Sequence, residues 1–209
     1  MTASQRPVVA AFDVDGTLTT RDCVVPFLYR AGGLSAGLAL VRHPLSVSRA
    51  LVHRDRDSIK EMACTAFAGM HGEEVDVLGA SFAREIVSRW LRPDTFARLG
   101  QHRELGHTVV LVSASLDPYL VPFGSSIGAA GVVCTELERD AQGVLTGKLV
   151  GPNCRGPEKV RRLESWLTAS GMTDAVVWAY GDSAGDDALL ARADRPVRVG
   201  RGPVVAEPL

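Results

Sequence analysis

Cysteine is scarce in this chain. The 209 residues hold four, Cys23, Cys64, Cys134 and Cys154, and no two stand at CxxC spacing. That excludes a cysteine zinc site and the dense disulfide framework of a small secreted domain, and it points to reduced thiols in a cytoplasm. An excess of one charge is also lacking. Twenty-three Lys and Arg face 24 Asp and Glu, for a net charge of −1 with no block of like charge. Nothing in that balance favours nucleic acid or an anionic membrane as partner. Long apolar runs are missing as well. The longest, Ala31 to Val41, is rich in glycine and closed by Arg42, His43 and Pro44, too short for a bilayer, which needs about 20 residues. The opening MTASQRP lacks the apolar stretch of a signal peptide. The five histidines, His43, His53, His71, His102 and His107, form no ligand spacing, and Trp90, Trp166 and Trp178 occupy positions expected to be packing.

What is present is a globular composition, 46% hydrophobic, in a chain long enough for one sizeable core with a modest insertion. Five Val-rich runs read as buried strands: Pro7–Phe12, His107–Val112, Ala130–Thr135, Ala175–Tyr180 and Pro196–Val199. They are continuous rather than alternating, as parallel strands covered on both faces should be. Helical patterns such as EKVRRLESWLTAS, from Glu158, lie between the later runs. The alternation predicts an α/β fold with an open, doubly wound parallel sheet. Residues 19–105 break the rhythm, being far longer than a crossover requires. DRDSIKEMACTAFAGM and EEVDVLGASFAREIVSRWL space apolar residues three and four apart, which predicts a helical insertion over residues 20–92 and a core made of residues 1–19 and 93–209. TELERDAQGVLTGKLVG, with QG at its centre, predicts a β-hairpin. The tail, Gly200 to Leu209, is expected to be loosely held.

The polar residues fall at strand ends. DVDGT follows the first run, Ser113-Ala114-Ser115 the second, and GDSAGDD the fourth, while Lys159 opens the helix before the fourth. Open α/β sheets bind ligands beyond the carboxyl ends of their strands, so these groups are expected to meet. Asp13, Asp15 and Asp182 offer the oxygen donors that Mg²⁺ prefers. Ser113 and neighbouring backbone N–H groups suit phosphate oxygens, and Lys159 can neutralise both an aspartate and a phosphoryl group. This is equipment for phosphoryl transfer, where positioning and charge stabilisation do most of the work. A carboxylate nucleophile needs no deprotonation at neutral pH, and a second carboxyl beside it can donate and later accept a proton.

DVDGT, Ser113, Lys159 and GDSAGD together resemble the four motifs of the haloacid dehalogenase-like hydrolases, and the insertion resembles the type 1 cap of their phosphoserine phosphatase-like subfamily IB. LRP, HRELGHTVVLVSASLDPYL and TGKLVGPNCRGPEKVRRL extend the likeness over most of the chain. The resemblance implies Asp13 as nucleophile, forming an aspartyl-phosphate, and Asp15 as general acid/base. It implies Mg²⁺ on the Asp13 side chain, the Asp15 carbonyl and the Asp182 side chain, with Asp186 in support. Gly16, Ser113, Ala114 and Lys159 would hold the phosphoryl group of a small phosphorylated metabolite, in a cytoplasmic monomer or homodimer. A phosphotransferase and a non-catalytic phosphate-binding scaffold are the competing classes. Three departures bear on the substrate. Asp22 stands where phosphoserine phosphatases carry a glutamate, Gly185 where their GDGAND has asparagine, and Ala114-Ser115 where SGG is common. Free phosphoserine is therefore not the expected preferred substrate. Asp22 could meet an amine or hydroxyl on another small phosphate, such as an amino alcohol phosphate like histidinol phosphate or a sugar phosphate, or simply cap the first insertion helix.

Overall fold

The computed structural model describes residues 6–41 and 56–204. His43, His53 and three of the seven basic residues from Arg21 to Lys60, namely Arg42, Arg49 and Arg54, lie outside them. The five predicted strand runs all form strands: β1 (Val8–Phe12), β2 (Thr108–Leu116), β3 (Gly131–Thr135), β6 (Val176–Gly181) and β7 (Arg195–Arg198). They build one sheet in the order β3-β2-β1-β6-β7, every pair parallel. The predicted hairpin is present as β4 (Leu137–Arg139) and β5 (Leu145–Leu149), antiparallel and separate from the main sheet.

Both faces of the sheet are buried, which is why the strand sequences look uniformly apolar. Val9, Ala11, Val110, Val112, Val177 and Ala179 point to one face, and Ala10, Phe12, Val109, Leu111, Trp178 and Tyr180 to the other. The first face receives α6 (Pro157–Ala169) and α7 (Asp187–Arg192) through Leu163, Leu167, Leu189 and Leu190. The second receives α4 (Pro93–Glu104) and α5 (Asp117–Ser126) through Leu99, Leu120 and Phe123.

Between β1 and α4 stand α1 (Val24–Val41), α2 (Arg56–Cys64) and α3 (Gly72–Arg89). Helix α1 breaks at Gly33, whose φ is 52°. Among the described residues no helix is long and apolar enough to cross a membrane. The chain leaves and re-enters the sheet region along two adjacent antiparallel segments. Thr20 N–H donates to Trp90 C=O at 2.8 Å, Arg92 N–H to Leu18 C=O at 2.8 Å, and Thr19 bridges Leu91. The insertion shares the second core: Phe27 and Phe82 pack on Tyr119 of α5 with ring centroids 4.8 and 5.3 Å apart. At Gly79 of α3 a Cβ would stand 2.0 Å from Pro118 O, so only glycine lets α3 lie this close to the start of α5.

The tail departs from expectation up to Val204. Arg92 Nη2 donates to Gly202 C=O at 2.6 Å, and Val204 N–H donates to Asp94 Oδ2 at 2.9 Å. Val204 also packs against the second core. The residues beyond it lie outside the described ones.

One polar chain crosses that core. Arg98 Nε–H donates to Tyr180 Oη at 2.9 Å, Tyr180 Oη lies 2.8 Å from His102 Nε2, and His102 Nδ1 lies 2.9 Å from His107 Nδ1. Tyr180 Oη, which accepts from Arg98, has its own proton to give to His102 Nε2, and in that tautomer His102 carries its proton on Nδ1, towards His107. Both rings are then neutral. Burial holds the His102 pKa down at about 3, and its neighbours His107 and Arg98 further disfavour a second proton there. An unfolded histidine titrates near 6.5. Below that pH the unfolded chain takes a proton that folded His102 refuses, so this residue's contribution to stability falls as pH drops from about 6.5 towards 3. The buried carboxylates work in the opposite sense, so the test is a difference. Urea unfolding of wild type and His102→Gln between pH 6.5 and 4.5 should show wild type losing stability faster, by up to about 1.4 kcal/mol per pH unit; parallel pH profiles would contradict the assignment.

Candidate active site

β1 pairs with β6 one residue past its end, because Asp13 N–H donates to Tyr180 C=O at 2.9 Å. The chain then turns tightly. The amides of Thr17, Leu18 and Thr19 all converge on Val14 C=O at 2.9–3.1 Å. Gly16 takes φ 83°, and a Cβ there would stand 2.5 Å from Asp182 Oδ2. Glycine therefore answers two demands at this position: the left-handed backbone and the approach of the loop after β6.

The turn aims Asp13 and Asp15 at different partners. Asp13 Oδ1 accepts from Lys159 Nζ at 2.6 Å, and Asp13 Oδ2 lies 3.1 Å from Thr17 Oγ1. Thr17 Oγ1 also reaches Asp182 Oδ1 at 3.3 Å. Asp15 Oδ1 accepts from Cys23 N–H at 2.8 Å, and Asp15 Oδ2 accepts from Ser115 Oγ–H at 2.7 Å. Lys159 stands in the first turn of α6 and is almost wholly buried. It also donates to Asp186 Oδ1 at 2.6 Å. The other Asp186 oxygen accepts from Ser183 N–H and Oγ–H, both at 3.0 Å. Ser113 is buried in the second half of β2, and its hydroxyl oxygen accepts from Ser115 N–H at 3.2 Å.

A cavity of about 700 Å³ opens above these groups. Asp13, Asp15, Gly16, Ser113, Ala114, Lys159, Asp182 and Asp186 all line it, and so does Asp22. Asp22 also accepts from Val25 N–H through Oδ1 at 3.0 Å, capping the start of α1. The fold brings further residues to the site. Ser115 was legible only as a departure from SGG, with no sign that it would hold Asp15. Lys60 of α2 reaches across to donate to Ala114 C=O and, at 2.9 Å, to Asn153 Oδ1. Asn153 Oδ1 in turn accepts from Thr135 Oγ–H at 2.7 Å. Arg155 lines the rim and makes no side-chain hydrogen bond or ion pair among the described residues. No spacing links Lys60 to Asn153 in the sequence; the fold alone brings them together. Cys154, by contrast, is buried with its thiol pushed up to about 11 by burial, so it stays protonated and inert.

Burial dominates the electrostatics. It pushes the Asp13 carboxyl up to about 7 against the pull of Lys159. It raises Asp15 too, with Asp22 adding to the effect and the bonds from Ser115 and Cys23 opposing it. Asp182 is raised by burial and by Asp186. Lys159, held by two carboxylates, is shifted upward and stays charged. Oxygens of Asp13, Asp182 and Asp186 lie within 4.8 Å of one another. Asp186 is spent on Lys159 and Ser183, which leaves Asp13 and Asp182 as the pair facing each other. Hard oxygen donors with more negative charge than one ammonium can offset fit a small divalent cation such as Mg²⁺.

A family model described as haloacid dehalogenase-like hydrolase matches residues 10–191. Protein CicA of Caulobacter vibrioides is 33% identical over 198 residues, covering 94% of this chain and 88% of that protein. Histidinol-phosphatase of Neisseria meningitidis serogroup C is 24% identical over 148 residues, covering 69% of this chain and 67% of its own length. In fold, the chain superposes on a protein of unknown function from Bordetella pertussis Tohama I with a TM-score of 0.71 at 21% identity, over 93% of this chain and 90% of that one. The family match takes in all the strand ends that build the cavity, and the chain belongs to the haloacid dehalogenase-like hydrolase family.

Proposed function

We propose that this hydrolase is a Mg²⁺-dependent phosphatase that cleaves a small phosphomonoester through an aspartyl-phosphate on Asp13. The observation that carries the reading is the separate fastening of the two acids, Asp13 by Lys159 and Thr17, Asp15 by Ser115 and Cys23. An Asp13 oxygen attacks phosphorus, the ester P–O bond breaks, and the leaving oxygen takes the proton of Asp15. Asp15, now ionised, takes a proton from water. That water oxygen attacks phosphorus, the P–O bond to Asp13 breaks, and phosphate leaves with Asp15 protonated again. Burial raises its pKa, the direction that favours a carboxyl able to give a proton to the leaving oxygen. Ser113, Lys159 and the backbone at Gly16 and Ala114 hold the phosphoryl oxygens. Mg²⁺, bound by the side chains of Asp13 and Asp182 and the carbonyl of Asp15, would supply further charge neutralisation at those oxygens. Asp186 fixes Lys159. We divide the chain into a core of residues 1–19 and 93–209 and a cap of residues 20–92, and place it in the cytoplasm. One Asp22 oxygen is committed to Val25 N–H, which supports a substrate other than free phosphoserine.

Asp13→Asn should abolish phosphate release, and Asp15→Asn should lower kcat about 10²–10⁴-fold, the usual worth of a general acid/base. Near wild-type release by purified Asp13→Asn protein would overturn the mechanism. Chelation by EDTA should stop turnover, Mg²⁺ should restore it, and Ca²⁺ should restore it poorly because it prefers more ligands at longer distance; unchanged activity after exhaustive chelation would remove the metal from the scheme. Ser115→Ala takes away a hydrogen bond that favours ionised Asp15. The high-pH limb of the kcat/KM profile, where Asp15 loses its proton, should then move to higher pH, and an unmoved limb would show that Ser115 does not tune the acid.

A further inference from the structure

The cavity has two unlike sides. Its core side gathers the charged groups: the acids, Lys159, and Arg155 at the rim. Among the described residues, the side built by the insertion carries a continuous apolar stretch. Val24, Val25, Leu28 and Tyr29 of α1 and Ala63 of α2 line it. Positions 24 and 28, and 25 and 29, are one turn apart, so the four α1 side chains form one stripe facing the site. Val25 is 53% exposed and Tyr29 61%. The polar groups that the insertion adds among the described residues are the Asp22 carboxylate, one oxygen of which accepts from Val25 N–H, the Lys60 ammonium, bonded to Ala114 and Asn153, and the Tyr29 hydroxyl. Small-molecule sites of about 300–1,000 Å³ enclose most of a ligand, so some 700 Å³ leaves ample space beyond a phosphoryl group.

We propose that the leaving group is an apolar alcohol: the substrate is an alkyl or similarly apolar phosphomonoester, its phosphoryl end on Ser113 and Lys159 and its hydrocarbon part along the Val25–Tyr29 stripe. This rests on the phosphatase reading and adds the substrate class. Laid along that stripe, a polar leaving group such as serine would set its ammonium and carboxylate against valine and leucine, which costs far more than an apolar mismatch.

Linear alkyl phosphates from ethyl to octyl share one leaving-group chemistry, so chain length isolates contact with the stripe. Measured below their micelle concentrations, kcat/KM should rise about two- to fourfold per methylene until the stripe is covered. Hexyl phosphate should exceed phosphoserine and glycerol 3-phosphate at least tenfold. Tyr29→Ser and Val25→Ser, at solvent-exposed positions that tolerate change, should flatten the rise. A flat or falling series, or a lead by phosphoserine or glycerol 3-phosphate, overturns the inference. If no phosphomonoester is turned over, the phosphatase reading fails, and calorimetric titration of the same series still decides this one: binding that tightens with length supports the apolar side, and length-independent binding refutes it.

Discussion

The ammonium of Lys159, buried between Asp13 and Asp186 at 2.6 Å from each, is the contact on which the site depends. A buried ion is costly unless it is paired, and breaking such a pair leaves an uncompensated charge that costs several kcal/mol. Here one cation serves two anions from different parts of the chain. Asp13 is fixed to β6 through its own N–H, Asp186 is fixed to Ser183, and Gly156 N–H, just before Lys159, donates to Gly185 C=O at 2.9 Å. The end of β1, the start of α6 and the loop after β6 are therefore locked to one another. Their geometry is set before any ligand arrives, which is what positioning-dominated catalysis requires.

The insertion is fastened more extensively than a hinge at its two connecting segments would require. The hairpin adds a third attachment. Gly69 N–H donates to Leu145 C=O, Leu145 N–H to Met70 C=O, and Gly72 N–H to Gly143 C=O, each at 2.9 Å. Arg139 of the hairpin grips Asp76 of α3 with two hydrogen bonds of 2.7 and 2.9 Å. With the close approach at Gly79 and the aromatic contacts of Tyr119, α3 is part of the second core. Helices α1 and α2 stand over the cavity instead, where Lys60 supplies a cross-link to Ala114 of β2 and to Asn153. The hairpin, which takes no part in the main sheet, gains a structural reason for its presence.

The strands were legible because both faces of the sheet are covered, so Val and Ala runs needed no alternation to betray them. The acids were legible because each follows a strand directly, and the order of strand ends in an open parallel sheet confines such residues to one edge. Helix periodicity in the insertion was equally plain, since α3 buries Val75, Phe82, Ala83 and Ile86 at helical spacing. Contacts made only by tertiary folding left no trace in the sequence. Lys60 and Asn153 are 93 positions apart, and an isolated lysine reads as solvated until the fold buries it. Ser115 looked like a lost glycine because nothing local shows that its hydroxyl meets Asp15. The anchoring of the tail depends on Asp94 and Arg92, which a tail read by composition alone cannot reveal. Asp22 had two sequence readings, and its bond to Val25 N–H together with its place in the cavity wall makes it both a helix cap and a wall residue.

The helix that carries the apolar stripe also holds one of the two acids. Cys23, whose N–H donates to Asp15 Oδ1 at 2.8 Å, immediately precedes the first turn of α1. Ser115 holds the other oxygen from the sheet side. Asp15 is thus suspended between the insertion and the core, and each bond opposes the upward shift that burial imposes on its carboxyl. A displacement of α1 away from the sheet lengthens the bond from Cys23, weakens support for the ionised form and raises the pKa of Asp15 further. Val25 and Tyr29 thus stand on the helix whose first turn adjoins the Cys23 bond to Asp15, a few residues and one hydrogen bond away. The start of α1 therefore both lines the cavity and holds the Asp15 carboxyl, with no need for a longer path through the core.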